Sequence, residues 1–376
     1  MKNELTDAEI AKAFGVENTS EEISKPRKDN FFKPFKEMFE KLGSTAKKDV
    51  LSAFLPLRLI ATKKVNILIV GASGSGKSET INALLKDAKI TDQQAIAKKG
   101  SDSVTMDITS FTIGTCTVYD SPGLGDLPDK EPAHIKKIKE KVLEIDKDGN
   151  RLIDLIIVVL NGANLRDKKV WPILINEILI PNMENPNNLI VAINKVDQYD
   201  DGYHWDTKNN KPTQELRQDI KNEMKTVQKH IKLATKLDIT PIYYSAGRKE
   251  RNKKPWNLIA LYNEMNQKAP DKKKFSLATN INPDIGNFSN GENVKEVIKD
   301  IKKDISKDME KGILEEITKS NPRQEVNQPN NKTKKNEKKR KKEKIQSTPE
   351  KDEPSGWLGK LIGIGASILG GIFGGW

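Results

Sequence analysis

Between residues 65 and 244 the chain alternates short apolar runs with longer stretches in which apolar residues recur every three or four positions. The run VNILIV at 65–70 is apolar at nearly every position, as a strand covered on both faces should be. IDLIIVVL (153–160), NLIVAI (188–193) and ITPIYY (239–244) have the same character. ITSFTIG and TCTVYD, within 108–120, pair as a hairpin turning near Gly114. Helical spacing predicts a helix from about Ser78 to Leu85, and others near 132–146, 167–178, 213–235 and 255–268. This alternation predicts an α/β fold: a mostly parallel six-stranded sheet with helices on both faces.

The flanks follow other patterns. In the first 62 residues, Thr6 and Glu9 have capping-box spacing and Gly15 can end that short helix. Phe31, Phe32, Phe35, Met38, Phe39 and Leu42 then fall on one helical face, a stripe that packs on a neighbouring domain or lies on a membrane. After 270, Val294, Val297, Ile298, Ile301, Ile305, Met309 and Ile313 predict one amphipathic helix over about 292–318. The expected organisation is a helical N-terminal extension (1–62), a central α/β domain (63–270), a C-terminal helical extension (271–319), a basic disordered linker (320–355) and a hydrophobic glycine-rich tail (356–376).

Charge sharpens the reading of the last two segments. Residues 332–344 hold nine Lys or Arg against two Glu, a net +7 of the chain's formal +12. Such a run stays solvated and seeks an anionic partner, a membrane surface or a nucleic acid. It contains no aromatic side chain on which a base could stack. The tail from Trp357 to Trp376 has one charge, Lys360, and as a helix it would extend roughly 28 Å, near the thickness of a bilayer core. Its glycines repeat with G-x-x-x-G spacing at Gly359/Gly363 and Gly370/Gly374, which permits close helix pairing in lipid. The tail is therefore expected to anchor the protein at the cytoplasmic face of a membrane; lying in one leaflet or docking back on the central domain are the alternatives. The single cysteine, Cys116, excludes an intrachain disulfide and reads as a small core residue. The opening MKNELTDAEI lacks the apolar core of a signal peptide.

The chemistry sits at the ends of the apolar strands. Gly71-Ala72-Ser73-Gly74-Ser75-Gly76-Lys77-Ser78 matches G-x-x-x-x-G-K-S/T, with the required strand before it and helix after it. Glycines let successive backbone N–H groups turn toward one anion, and the following helix adds its N-terminal partial charge. In that arrangement Lys77 reaches the β- and γ-phosphates and Ser78 places a hydroxyl on Mg²⁺. Glu79 follows in the first turn and is counted with the binding residues. Asp120-Ser121-Pro122-Gly123 closes a strand, placing a carboxylate near the metal and a glycine N–H near a γ-phosphate. Asn194-Lys195-Val196-Asp197 follows NLIVAI; the Asp197 carboxylate can accept from the ring N–H and exocyclic amine of guanine, whereas adenine would face it with a lone pair. Ser245-Ala246-Gly247 follows ITPIYY and is expected to aim a backbone N–H at the guanine oxygen.

These elements in this order resemble the translation-factor-related P-loop GTPases, closest to the Era/TrmE-like branch, with a G domain of the 50S ribosome-binding GTPase type. The resemblance covers the central domain and implies GTP/GDP and Mg²⁺ as cofactors and GTP hydrolysis as the activity. It also implies that Thr105, in Thr105-Met106-Asp107, ligates Mg²⁺ with Ser78 and Asp120 and closes over the γ-phosphate beside Lys77 and Gly123. Two positions depart from the pattern. Leu124 stands where Ras-like enzymes carry a water-orienting glutamine, so intrinsic hydrolysis is expected to be slow. Gly74 stands where potassium-activated members have Asn; septins, GIMAP proteins and Toc GTPases have Gly there, which hints at a homodimer across the nucleotide face. His134, His204 and His230 lie in none of the motifs and read as surface residues, and Arg166 as a loop arginine. The function expected is a membrane-associated GTPase switch. An RNA- or ribosome-associated GTPase, or a GTP-binding scaffold with negligible hydrolysis, are the alternatives.

Overall fold

The structure is a computed structural model and describes residues 60, 62–85, 107–125, 129, 131–164, 170–247, 253–280 and 288–320 (side chains of 279 and 316–320 excepted). The expectations for residues 1–59, Thr105, Arg166, the basic linker and the tail fall outside the described residues.

β1 (Val65–Gly71) is the apolar run expected, and α1 (Lys77–Leu84) follows the glycine loop. β2 (Thr109–Ile113) and β3 (Cys116–Asp120) form the antiparallel hairpin, with Gly114 in the left-handed region at φ 56°. α2 (Glu131–Leu143), β4 (Leu155–Asn161), α3 (Trp171–Ile173), β5 (Leu189–Asn194), the ribbon β6 (Trp205–Asp206) and β7 (Lys211–Pro212), and α4 (Gln214–Thr235) come next. β8 (Ile242–Tyr243), α5 (Leu258–Lys268), α6 (Lys274–Asn280) and α7 (Val294–Ser320) complete the described chain. The main sheet has six strands in the order β2-β3-β1-β4-β5-β8, all parallel except β2.

Period-2 alternation sends each strand's residues to two separate cores. Val65, Ile67 and Ile69 of β1, with Leu155, Ile157 and Val159 of β4, face one side. Leu68 and Val70, with Ile156, Val158 and Leu160, face the other, where α2, α4 and the π-helical turn Leu174–Leu179 after α3 cover them through Ile138, Leu216, Ile220, Leu174 and Ile178. The first side is closed by α5 and by the C-terminal helices: Phe275, Phe288, Ile301, Ile305, Met309 and Ile313 are fully buried there with Ile60. The extension after 270 is thus one wall of the same core.

α6 is not legible as a helix in the sequence, yet it rivets the β2–β3 hairpin. Asn280 accepts from Thr115 N (3.1 Å) and donates to Thr115 Oγ1 (2.8 Å), while Ser276 Oγ lies 2.7 Å from Thr115 Oγ1. A Cβ on Gly114 would come within 2.0 Å of Asn280 Oδ1. At the base of β4, the buried Asp154 accepts from Asn66 N (2.9 Å) and pairs with Lys273 (2.7 Å), tying the extension to the sheet. Burial raises the Asp154 carboxyl above its ordinary value, and the Lys273 charge counters it.

Three local expectations are corrected. The strand at 239–244 is only two residues long, because Pro241 has no N–H for a ladder. The helix near 167–178 is described from Trp171 and widens into a π-helix over Leu174–Leu179. The ribbon β6–β7 has no counterpart among the expected elements: two-residue strands around the turn at Asn209 and Asn210 are too short to carry a period.

Candidate functional site

The site is built where β1, β3, β4 and β5 end on the same edge of the sheet. The loop from Gly71 to Gly76 leaves β1 and enters α1, whose N-cap residue Gly76 has φ 92°. A Cβ there would meet Asn194 Nδ2 at 2.1 Å, so the close approach of two loops dictates glycine. The Lys77 ammonium folds over the loop and donates to the carbonyls of Gly71 (3.3 Å) and Ala72 (3.1 Å).

Beside it, Ser78 Oγ donates to Asp120 Oδ2 (2.9 Å), joining the start of α1 to the end of β3. Asp120 is 4% exposed, and its other oxygen, Oδ1, has no hydrogen-bond partner; neither has the buried Ser75 Oγ. Burial pushes the Asp120 carboxyl up, while the Lys77 charge and the Ser78 hydroxyl pull it down. A hydroxyl and an orphaned carboxylate oxygen, side by side, are a donor set that suits a small oxygen-seeking cation.

The segment after Asp120 runs alongside the phosphate loop. Ser73 N donates to Leu124 O (2.9 Å) and Leu124 N to Gly71 O (3.3 Å). The Leu124 side chain, 2% exposed, packs into the core with Leu68 and Val70. It therefore points away from any place where a glutamine would orient water. Gly123 lies so close that a Cβ would come within 2.7 Å of Ser73 Cα.

At the end of β5, Asn194 binds three loops together. Its amide donates to Ser75 O (3.1 Å) and Gly76 O (3.4 Å), and its Oδ1 accepts from Ala246 N (2.9 Å). Lys195 turns the chain in the left-handed region (φ 61°) and donates to Gly74 O (2.6 Å). Asp197 is buried; Oδ1 accepts from Ser245 Oγ (2.7 Å) and Oδ2 pairs with Lys253 (3.2 Å). A shallow cleft is lined by Glu79, Asn194, Lys195, Asp197, Ser245 and Gly247. Of the sequence-derived residues, all but Thr105 are thus gathered on one edge.

Residues 245–247 act differently from expectation. The Ala246 N–H is engaged by Asn194, and Gly247 N donates to Ser245 Oγ (3.3 Å), so neither is aimed at a purine carbonyl here. Ser245 instead orients the Asp197 carboxylate. The histidines need a correction too. His204 and His230 are partly or fully exposed, but His134 is buried at 3% and its Nδ1 lies 3.2 Å from Gly123 O. The signal was present: His134, Ile138 and Val142 share one helical face at i, i+4 and i+8, and all three are buried. Sequence reasoning also misses Lys253 and the pair Thr80–Tyr244 (2.6 Å), which links α1 to the residue before Ser245, since no motif contains them.

The mostly parallel sheet, with a glycine loop between β1 and α1 at its edge, is the α/β architecture of P-loop nucleotide-binding domains. Residues 66–195 match the family model described as 50S ribosome-binding GTPase. Comparison with curated protein sequences gave no match. Similar solved structures include a probable GTP-binding protein engB (18% identity, 54% of this chain and 98% of that one, TM-score 0.33) and Toc33 from Arabidopsis thaliana in complex with Mg²⁺ and GMPPNP (14%, 64% and 90%, 0.34). LeoA, a bacterial dynamin GTPase from ETEC, aligns at 18% identity over 77% of this chain and 46% of that one, with TM-score 0.33.

Proposed function

We propose that this protein binds GTP and GDP with Mg²⁺ and hydrolyses GTP slowly as a switch. The observation that carries the reading is the buried Asp197 carboxylate, oriented by Ser245 at 2.7 Å and facing the cleft beside the Lys77 loop. Both guanine donors can be met by that carboxylate, and an adenine cannot satisfy it. Ser78, with Asp120 behind it and Thr105 from outside the described residues, would hold the Mg²⁺. When bound, the ion supplies charge neutralisation for the phosphates. Lys77 would release the carbonyls of Gly71 and Ala72 and turn its ammonium to the β- and γ-phosphates. The Gly123 N–H would be presented to the γ-phosphate. Glu79 and Lys195 line the cleft between phosphate loop and base. Slow turnover follows from Leu124, which is buried and has no group that can orient water.

Finer parts of the reading rest on the sequence. The motifs support a relation to the Era/TrmE-like branch. Gly74 sits at the loop tip with open space where a side chain would begin, which leaves room for a second copy across the nucleotide face. The tail at 356–376 and the +7 run before it support attachment to an anionic membrane at its cytoplasmic face, which flotation of the full chain with and without the tail would test.

The test of the nucleotide reading is displacement of a fluorescent GDP from the full chain by GTP, GDP, ATP and xanthosine diphosphate, in the wild type and in Asp197→Asn. GTP and GDP should compete and ATP should not, and the variant should shift its preference to the xanthine nucleotide, whose carbonyl accepts from the new amide. ATP competing as well as GTP would sink the reading.

A further inference from the structure

Gly123 links Pro122 to Leu124, and a glycine cannot fix its own backbone. Its neighbours do so on one side. The peptide that follows it is held at both ends: Leu124 N donates to Gly71 O at 3.3 Å, and the Gly123 carbonyl lies 3.2 Å from His134 Nδ1. A carbonyl can only accept, so Nδ1 is the donor in this contact. The peptide before Gly123 is different, because its N–H donates to no group among the described residues.

His134 is costly to keep. It is 3% exposed, and its Nε2 has no hydrogen-bond partner. A buried polar atom without a partner has lost its bonds to water and gained none in the fold. A leucine on the same helical face as Ile138 and Val142 would fill the space without that cost. What the imidazole does that a leucine could not is grip one carbonyl through Nδ1.

We propose that His134 is a positioning residue for the terminal phosphate: by holding the Gly123 carbonyl it fixes the backbone so that the Gly123 N–H stays presented to a γ-phosphate. The inference rests on the nucleotide reading above and assigns that site its link to α2. Movement of Gly123 toward or away from a γ-phosphate would be felt at His134, and α2 would register which nucleotide is bound.

The experiment compares His134→Leu and His134→Asn with the wild type, as full chains with Mg²⁺, measuring affinity for GMPPNP and GDP by calorimetry. The leucine variant should bind GMPPNP about tenfold more weakly, the equivalent of one charge-assisted hydrogen bond of ~1.4 kcal/mol, and GDP within about twofold of wild type. The asparagine amide reaches nearly where Nδ1 does and should restore most of the GMPPNP affinity. Equal losses for both nucleotides, an asparagine variant no better than leucine, or an unchanged leucine variant would each overturn the assignment. Should His134→Leu fail to fold, His134→Asn against His134→Phe makes the same comparison, and hydrogen exchange at the Leu124 amide should be faster in the phenylalanine variant alone. If wild type binds neither nucleotide, the proposed function itself fails, and this inference fails with it.

Discussion

Replacing Asn194 with alanine should destabilise the protein before any nucleotide is added. Asn194 is 1% exposed and makes three bonds to two other loops: to Ser75 O at 3.1 Å and Gly76 O at 3.4 Å in the phosphate loop, and from Ala246 N at 2.9 Å. The two good bonds contribute about 1 kcal/mol each, and the 3.4 Å contact little. Removing the side chain also strands the Ala246 N–H in the interior, at a further cost of about 1–3 kcal/mol. A loss of about 3 kcal/mol is expected, or a fall in Tm of roughly 6–12 °C for a domain of this size. Asn194→Asp separates the contributions. It keeps the acceptor for Ala246 N but sets a carboxylate against two carbonyls, so it should be at least as destabilising as alanine. The assay is thermal unfolding of nucleotide-free protein by circular dichroism, with Asp197→Ala as the control. Asp197 bonds to Ser245 and Lys253, and its loss should cost less than half as much. If Asn194→Ala melts within about 1 °C of wild type while losing GDP affinity, Asn194 would be a base-reading residue and not the pin that joins the loops.

Further outcomes follow from the same geometry. Ser78→Ala should weaken Mg²⁺-dependent GDP binding about tenfold, ~1.4 kcal/mol, so that chelating Mg²⁺ weakens wild type far more than the variant; equal sensitivity to chelation would refute the metal assignment. Met309→Ala, at a fully buried position of α7, should cost about 2–4 kcal/mol in denaturant unfolding, and a cost below about 0.5 kcal/mol would mean that α7 is not part of the core. Burial pushes the Cys116 thiol up to about 12. It should stay protonated and resist alkylation at pH 8 until the protein is unfolded. Since the folded value lies above the unfolded one, the thiol's contribution to stability is intact below about pH 8.5 and declines as the pH rises toward 12. Stoichiometric labelling of native protein within minutes at pH 8 would contradict the buried placement.

β1, β4 and β5 can be read directly because each is apolar on both faces, and β1, β3 and β5 end in a residue that the site needs, Gly71, Asp120 and Asn194. The phosphate loop and the base motif are legible for the same reason, since their chemistry confines them to a few residue types at fixed spacing. What stays hidden depends on contacts between distant segments. α6 is short, and what holds it is Asn280 on the hairpin turn 165 residues earlier. By its type His134 reads as a polar residue in a lysine-rich helix, whereas its position on the Ile138–Val142 face tells more. The role of Ala246 escapes the motif, which says which residues meet but not which N–H the Asn194 side chain has already taken.

The rivet between Asn280 and the Gly114 turn makes the C-terminal helices a gear rather than an appendage. The hairpin connects, through β3, to Asp120 and Gly123, where the phosphates would be read. Any shift of that strand pulls on α6, and α6 shares its core with α7. As a rod of 27 residues, α7 extends about 40 Å and ends at Ser320, where the basic run and the tail are attached. A displacement at the hairpin would therefore be felt along α7, through the core that it shares with α6.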